Sequence, residues 1–180
     1  MIRLPLLCCA LSFIALSSRC VAQPDSQGGA EWSLYQNGML GLRMNYPSHW
    51  DTTAHDSRLA FIAAEINPDS LDRFNENLNL SVGKSQGMSL DEAVKLNLNA
   101  VRQRYQDSGS IASSERTNAH GTRVVTISMV LPASGLTFSN DANFFTDGEW
   151  LYCLTFGGEA EKAEAYRPIW NAIIESIKLK

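Results

Sequence analysis

The segment from Trp150 to Gly158, WLYCLTFGG, constrains the fold of this chain most strongly. Alternate side chains of an extended strand lie on opposite faces. One face of this segment carries Leu151, Cys153 and Thr155, and the other carries Tyr152, Leu154 and Phe156. A strand that is apolar on both faces is typical of the middle of a sheet that is covered on both sides. We therefore expect a layered structure built around this strand.

Other strands are predicted from alternating patterns and from apolar runs. Residues 77–84, NLNLSVGK, alternate apolar and polar side chains, and residues 59–66 form an apolar run typical of a buried strand. Residues 111–121 and 122–132 predict two strands that flank a turn near Asn118 to Gly121. A further hairpin is predicted around a two-residue turn at Asp147 and Gly148.

The segment EWSLYQNGMLGLRMNYP predicts a first hairpin. Asn37 and Gly38 are the residue types that a two-residue type I′ turn prefers, since both positions require positive φ. The residues after this turn alternate, which places Leu40, Leu42, Met44 and Tyr46 on one face. Pro47 has no N–H to donate and is expected to end the strand.

Two helices are predicted. Ser89 and Glu92 have the spacing of a capping box, and the apolar stripe that follows is made of Leu90, Val94, Leu98, Val101 and Tyr105. Gly109 is a stop signal for this helix. The C-terminal residues place Tyr166, Ile169, Ile173 and Ile177 at helical spacing. Pro168 is expected to interrupt this second helical region, giving a short helix before it and a longer one after it.

The N-terminal residues MIRLPLLCCALSFIALSSRCVA have the layout of a secretory signal peptide. Arg3 precedes an apolar stretch from Leu4 to Ser18, and small residues at Cys20 and Ala22 precede a cleavage point after Ala22. The stretch is shorter than the roughly 20 residues of a transmembrane helix, so the mature chain is expected to have no integral membrane span. A retained anchor is one alternative. A lipoprotein modified at Cys20 is another, which Arg19 just before it disfavours.

The predicted organisation is a signal peptide at 1–22, a flexible segment at 23–31 and a single domain at 32–180. This organisation predicts a periplasmic or secreted protein. Three of the four cysteines lie in the signal peptide, so Cys153 is the mature chain's only cysteine and is expected to be a small buried hydrophobe.

The charge of the chain argues against a nucleic-acid partner. The net charge is −4, from 15 basic and 19 acidic residues. It becomes −6 when the two arginines of the signal peptide are removed. The sequence contains no basic stripe or arginine-rich run, which neutralisation of phosphates would require.

Five segments occur in an order that resembles the PsbP/DcrB-like superfamily: GLRMNYPSHWD, NLNLSVGK, SLDEAV, FFTDGEWLYCLTF and YRPIWNAIIESIK. The resemblance covers about residues 32–180. It implies an α+β fold, an α/β/α sandwich with a central, mostly antiparallel sheet of about six or seven strands and two main helices. It also implies that Trp50 folds back as a core plug. Members of this superfamily are mostly non-catalytic: photosystem subunits, a Ran-binding factor, secretion-effector chaperones and envelope proteins.

Candidate sites for chemistry are few. His49, Asp51, His55 and Asp56 lie close together, but their spacing matches no zinc pattern. An acidic group, Glu65, Asp69, Asp72 and Glu76, lacks the glycine and bidentate glutamate of a calcium loop. Gly83, Lys84 and Ser85 resemble the end of a phosphate loop, but Leu78 stands where its first glycine is required. Asn79 begins a glycosylation sequon, which matters only in a eukaryotic host. We therefore predict no catalytic, cofactor-binding or metal-binding residue, and no cofactor.

Three functional hypotheses follow. The leading one is an exported, non-catalytic binding or assembly module of the cell envelope that contacts another envelope protein. The second is a periplasmic immunity or inhibitor protein against a secreted toxin. The third is a metal-dependent hydrolase built on the loop from His49 to Asp56.

Overall fold

The computed structural model describes residues 31–53, 56, 59–66, 74–105, 109–133 and 135–180. Its elements, in chain order, are β1 (Trp32–Asn37), β2 (Leu42–Pro47), β3 (Phe61–Ala64), β4 (Asn77–Lys84), α1 (Leu90–Tyr105), β5 (Ser110–Thr117), β6 (Arg123–Ala133), β7 (Leu136–Thr146), β8 (Trp150–Glu159) and α2 (Ala163–Ser176). The predicted signal peptide and most of the segment 23–31 lie outside the described residues.

The main sheet has six antiparallel strands in the order β3-β4-β8-β7-β6-β5, and β1 and β2 form a separate two-stranded sheet. The last strand in the chain, β8, therefore lies inside the sheet between β4 and β7. Its odd residues Leu151 and Cys153 belong to one buried cluster, and its even residues belong to the other. The prediction of a central strand covered on both faces is confirmed.

Three layers result. Helix α1 packs on one face of the main sheet, against the apolar side chains of β6, β7 and β8. Helix α2 and the β1–β2 hairpin cover the other face, where Leu42 and Met44 of β2 join Ile173 and Ile174 of α2 in one cluster. This arrangement is the expected α+β sandwich with two helices and an antiparallel sheet.

The capping box predicted for α1 is present. The Ser89 backbone N–H and hydroxyl donate to Glu92 Oε2 at 2.8 and 2.7 Å, and the Glu92 N–H donates to Ser89 Oγ at 3.2 Å. The predicted stripe packs on the sheet, since Leu90 and Val101 are buried and Val94, Leu98 and Tyr105 are partly buried against the same cluster. Ala93 and Asn97 are also buried on this side of the helix. Asn97 can be buried because its amide donates to the Ala93 carbonyl oxygen at 2.8 Å.

Both predicted two-residue turns are wrong in length. The first hairpin pairs Asn37 with Leu42, so four residues form the turn, and Leu40 is buried within it instead of lying on the strand. Gly41, with φ of 63°, takes the left-handed conformation that was expected at Gly38. The second hairpin places three residues, 147–149, between β7 and β8, where the Asp147 side chain accepts from the N–H groups of Glu149 and Trp150.

The predicted break at Pro168 is also wrong, because α2 continues through the proline. Pro168 is the sixth residue of the helix and is exposed, so its ring has room on the solvent side. The missing N–H removes one hydrogen bond from the helix. Burial of Ala163 before the proline and of Trp170 and Ile173 after it holds both parts of the helix on the sheet.

Two residues take the structural roles expected for them. Trp50 is 3 % exposed and belongs to the core cluster under α2, so it acts as a core plug after Pro47. Cys153 is a buried free cysteine in the cluster under α1.

Candidate functional site

The sheet face beneath α2 is divided into an apolar half and a polar half. Where α2 and the hairpin cover it, β4 and β8 supply Leu78, Leu80, Leu154 and Phe156. Nearer to β5, the residues on the same face of the sheet are polar. Ser114 pairs with Thr126, Thr126 pairs with Asn143, and Ser128 pairs with Asp141. A polar sheet surface thus runs out from under the helix.

An open cleft of about 200 Å³ lies between this polar surface and α2. The strands contribute Ser114, Glu115, Arg116, Thr126, Ser128, Asp141, Asn143 and Phe156, and the helix contributes Arg167, Trp170, Asn171 and Ile174. Every one of these residues belongs to a strand of the main sheet or to α2. The cleft is therefore built on rigid elements and not on loops.

Asn143 is the most buried polar residue of the cleft, with 2 % of its surface exposed. Its Oδ1 accepts the Thr126 hydroxyl at 2.8 Å, and its Nδ2 donates to the carbonyl oxygens of Leu154 at 3.0 Å and Asp141 at 3.1 Å. A buried amide with its donors and acceptor satisfied fixes the cleft wall in one arrangement.

The charged groups of the cleft are paired across it. Arg116 on β5 donates to Asn171 Oδ1 at 2.9 Å and lies 3.8 Å from the Glu175 carboxylate. Arg167 on α2 lies 2.8 Å from Glu164 and 4.0 Å from Asp141. The hydrogen bond with Glu164 raises the pKa of Arg167, and the same bond lowers the pKa of the Glu164 carboxyl.

The cleft offers hydrogen-bonding groups and paired ions to a ligand. Its lining residues include hydroxyls, amides and paired ions, and no histidine or cysteine. Trp170 also lines it, and the buried indole N–H of Trp170 has no acceptor among the described residues. A buried donor without an acceptor costs about 1–3 kcal/mol.

One side of the cleft is bounded by β5, which is the end strand of the sheet. Its residues pair without interruption with β6 from Ser110 to Thr117, and most of its side chains are exposed. It contains no proline, no lysine and no bulge, which are the devices that usually protect a sheet edge. Within the described part of the chain, no backbone group outside β6 bonds to this strand.

The opposite edge of the sheet is formed by the short strand β3. The Asp51 N–H donates to the Ala64 carbonyl oxygen at 2.7 Å, and the Ala64 N–H donates back to Asp51 at 2.9 Å. These bonds bridge Ala64, the last residue of β3, to Asp51. The two edge strands therefore differ in length, since β5 has 8 residues and β3 has 4.

The two charged side chains of β5 are held against neighbouring elements. Glu115 accepts from Arg123 of β6 at 2.7 and 2.8 Å, and Arg123 also donates to Asp91 of α1 at 2.7 Å. The hydrogen bond from Arg123 is the largest cause of the lowered pKa of Glu115. Arg116 is directed to α2 on the other face. Neither of these side chains therefore protects the backbone edge of β5 against pairing with another strand.

The loop proposed as a metal site does not come together among the described residues. His49 is exposed, and the Asp51 carboxylate accepts from the N–H and hydroxyl of Thr53 at 2.8 and 3.0 Å. These bonds, the backbone one first, lower the pKa of Asp51. His55 lies outside the described residues. No group of three metal-ligating side chains is found in the described ranges.

The other motifs take structural positions. Glu65 accepts a hydrogen bond from the Tyr166 hydroxyl and Glu76 is fully buried, while Asp69 and Asp72 lie outside the described residues. Lys84 lies 3.4 Å from Glu149, and the buried Ser85 hydroxyl donates to the Gly148 carbonyl oxygen at 2.7 Å. Ser85 is therefore part of a turn contact and not of a phosphate loop.

Sequence reasoning missed the cleft. The signal was present in the strand LTFSNDANFFT, whose middle, SNDAN, is mostly polar and includes Asp141 and Asn143. Their meaning depends on the pairing register, which brings Asn143 beside Thr126. The sequence alone does not show that register.

No described helix has both the length and the apolar content needed to cross a membrane. Comparison with protein-family models and with curated proteins gives no match.

Similar solved structures exist at low sequence identity. Cyanobacterial PsbP (CyanoP) from Synechocystis sp. PCC 6803 matches with a TM-score of 0.59 and 12% identity, covering 89% of this chain and 99% of that chain. LpqN from Mycobacterium tuberculosis, described as involved in cell envelope biogenesis, matches with a TM-score of 0.60 and 11% identity, covering 85% and 92%. A Pseudomonas aeruginosa protein of unknown function matches with a TM-score of 0.55 and 15% identity, covering 83% and 97%. The PsbP-like fold implied by the sequence resemblance is thereby confirmed.

Proposed function

We propose that this protein is an exported, non-catalytic binding module of the cell envelope. It acts through protein–protein contact at the β5 edge and the adjoining cleft. The observation that carries the proposal is the open edge of β5 beside a preformed polar cleft, in a sheet whose other edge strand is short and bridged at Ala64. The predicted signal peptide and the shared fold with LpqN, a protein described as involved in cell envelope biogenesis, support the location.

The contact follows from the chemistry of a sheet edge. An extended segment of a partner pairs with β5 and adds a seventh strand through main-chain hydrogen bonds. Alternate side chains of that segment then lie beside Ser114 and Arg116, at the mouth of the cleft. Main-chain bonds supply affinity, and the polar groups of the cleft select which side chains fit.

The test is site-specific photo-cross-linking in the intact host envelope. A cross-linking residue replaces Ser113, which is exposed on β5, and in a matched control it replaces Asn99, which is exposed on α1. We expect one partner to be captured from position 113 and not from position 99, with mass spectrometry identifying it.

A second variant tests whether the captured partner binds at the edge of β5. Ser113→Lys places a lysine on the edge, which natural sheets use to prevent pairing. With the cross-linker at position 114, this variant should lose the partner, and Asn99→Lys should retain it. Equal capture from positions 113 and 99, or capture that survives Ser113→Lys, would contradict the proposal. A captured basic toxin would identify the module as an immunity protein.

A further inference from the structure

The C-terminal residues extend the β1–β2 hairpin by one more extended segment. The Arg43 N–H donates to the Lys178 carbonyl oxygen at 3.0 Å, and the Lys178 N–H donates back to Arg43 at 2.9 Å. Beyond this pair, the Lys180 N–H donates to the Gly41 carbonyl oxygen at 3.1 Å. Side chains of directly paired residues share a face. Arg43, Lys178 and Lys180 therefore lie on one side of this small sheet.

The same side of the hairpin carries exposed apolar residues. Gln36 pairs with Arg43, and Leu34 and Trp32 follow on β1 at spacings of two, so all of them share this outer face. Trp32 is 39 % exposed and Leu34 is 58 % exposed. Met39, at the turn of the hairpin, is 86 % exposed. The inner face carries the buried residues Leu42 and Met44 and accounts for the packing of the hairpin.

We call this outer surface the hairpin face; it consists of Trp32, Leu34, Met39, Arg43, Lys178 and Lys180. Its charged residues, Arg43, Lys178 and Lys180, are all basic. Arg43 and Lys178 lie directly opposite each other, an arrangement that costs stability for like charges. No acidic side chain among the described residues forms a salt bridge with Arg43, Lys178 or Lys180.

The described cations of the main sheet, Lys84, Arg116 and Arg123, all have acidic partners. Those of the hairpin face form no salt bridge among the described residues, and the Lys180 ammonium donates only to the Gly38 carbonyl oxygen at 3.2 Å. A surface that keeps three cations without acidic partners beside an exposed tryptophan is suited to an anionic, partly apolar surface.

We propose that the hairpin face binds the anionic surface of a phospholipid bilayer. Tryptophan is the residue that partitions best into the headgroup region, and leucine and methionine side chains reach the acyl boundary beneath it. Lysine and arginine beside them are attracted to anionic headgroups.

The β5 edge and its cleft are separate from this face, so binding to lipid and binding to a protein partner can be tested independently.

The first test measures co-sedimentation of purified residues 23–180 with vesicles of pure phosphatidylglycerol and of pure phosphatidylcholine. We expect binding to phosphatidylglycerol vesicles only, weakened by salt. Because each cation near an anionic surface contributes about fivefold in affinity, Arg43→Gln with Lys178→Gln should weaken binding about 25-fold. The matched control, Lys95→Gln with Arg102→Gln on the exposed side of α1, removes the same charge and should change binding by less than about twofold.

The second test locates the contact. Brominated phosphatidylglycerol quenches a tryptophan that reaches the membrane interface. Trp50 and Trp170 are each 3 % exposed and Trp150 is half-buried with Lys84 over its ring, so Trp32 is the most exposed of the four tryptophans and the one positioned to be quenched. We expect quenching in the unaltered protein and its loss in Trp32→Phe, which retains most of the binding.

Three results would overturn the proposal: no binding to phosphatidylglycerol vesicles, equal loss of binding in the two charge variants, or quenching that persists in Trp32→Phe. Thermal unfolding of each variant, at a midpoint close to that of the unaltered protein, establishes that a loss of binding is not a loss of folding.

Discussion

Tyr152 shows how one buried side chain joins the layers of the molecule. It is completely buried, and its hydroxyl lies 2.6 Å from the Leu40 carbonyl oxygen and 2.9 Å from Asp147 Oδ2. The single hydroxyl proton is shared between these two acceptors, one in the first hairpin turn and one in the last. Burial first, and then the bond to Asp147, raises the pKa of Tyr152 well above its ordinary value.

This environment gives a prediction for Tyr152→Phe. The variant should be less stable by about 1–2 kcal/mol at neutral pH, because a hydrogen bond is lost and its acceptors stay in place. Above about pH 10 the unfolded chain releases the tyrosine proton and the folded protein keeps it, so stability falls as pH rises. The phenylalanine variant lacks this loss. Urea unfolding should therefore show the difference between the two proteins shrinking from about pH 8 to about pH 11. A constant difference would contradict the account.

Other residues were open to prediction because burial and local geometry decide their roles. Trp50 was expected to plug the core and Cys153 to be a small buried hydrophobe, and both are. Asn143 could not be predicted, because its partners Thr126 and Leu154 come from neighbouring strands. Its role exists only once the strand register is fixed.

Among the helices and strands, α1 begins at Leu90, directly after the predicted capping residue Ser89. Ser89→Ala removes the hydroxyl that caps the Glu92 N–H, and we expect a loss of about 1 kcal/mol in the free energy of unfolding. Ser113→Ala, on the exposed edge strand, is the control and should have little effect. Equal losses in the two variants would exclude a specific capping role.

The same cap gives a pH dependence. The Ser89 backbone N–H, and then its hydroxyl, lower the pKa of Glu92 below its ordinary value. A lowered carboxyl pKa contributes stability above the unfolded value of about 4.3, and that stability is lost as pH falls through the folded value. Ser89→Ala should therefore lose less stability on acidification than the unaltered protein.

In helix α2, packing on the sheet outweighs the tendency of proline to interrupt a helix. Pro168 was expected to divide it, but packing on both sides of the proline keeps it continuous. Its cost should still be measurable, since proline in a helix interior is about 3 kcal/mol less favourable than alanine. Pro168→Ala is expected to raise stability by about 1–3 kcal/mol in urea unfolding, because it restores an N–H to the helix and the site is exposed. A neutral or destabilising result would indicate that the helix is already distorted to fit the proline.

Turn lengths were missed for a related reason. Asn37 and Gly38 favour a two-residue turn, but burial of Leu40 in the core lengthens the loop and moves the positive φ to Gly41. A local preference of about 1 kcal/mol is smaller than the 1.5–3 kcal/mol that burial of a leucine contributes.

For the whole molecule, the layered fold could be inferred from the distribution of apolar residues. Strand β8 is apolar on both faces, whereas β4 and the two helices each have one apolar face. The two surfaces proposed to bind could not be inferred. The open β5 edge depends on the order of strands in the sheet, and the hairpin face depends on pairing between residues 43 and 178. Both arise from contacts between distant parts of the chain.

If a partner adds to the sheet at β5, the free backbone amides of this strand become hydrogen-bonded to it. The decisive measurement is amide hydrogen exchange of this protein with and without the partner captured from position 113. We expect new protection across Ser110–Thr117, with no change in α1. Protection confined to α1, or a bound partner that leaves β5 exchange unchanged, would contradict it.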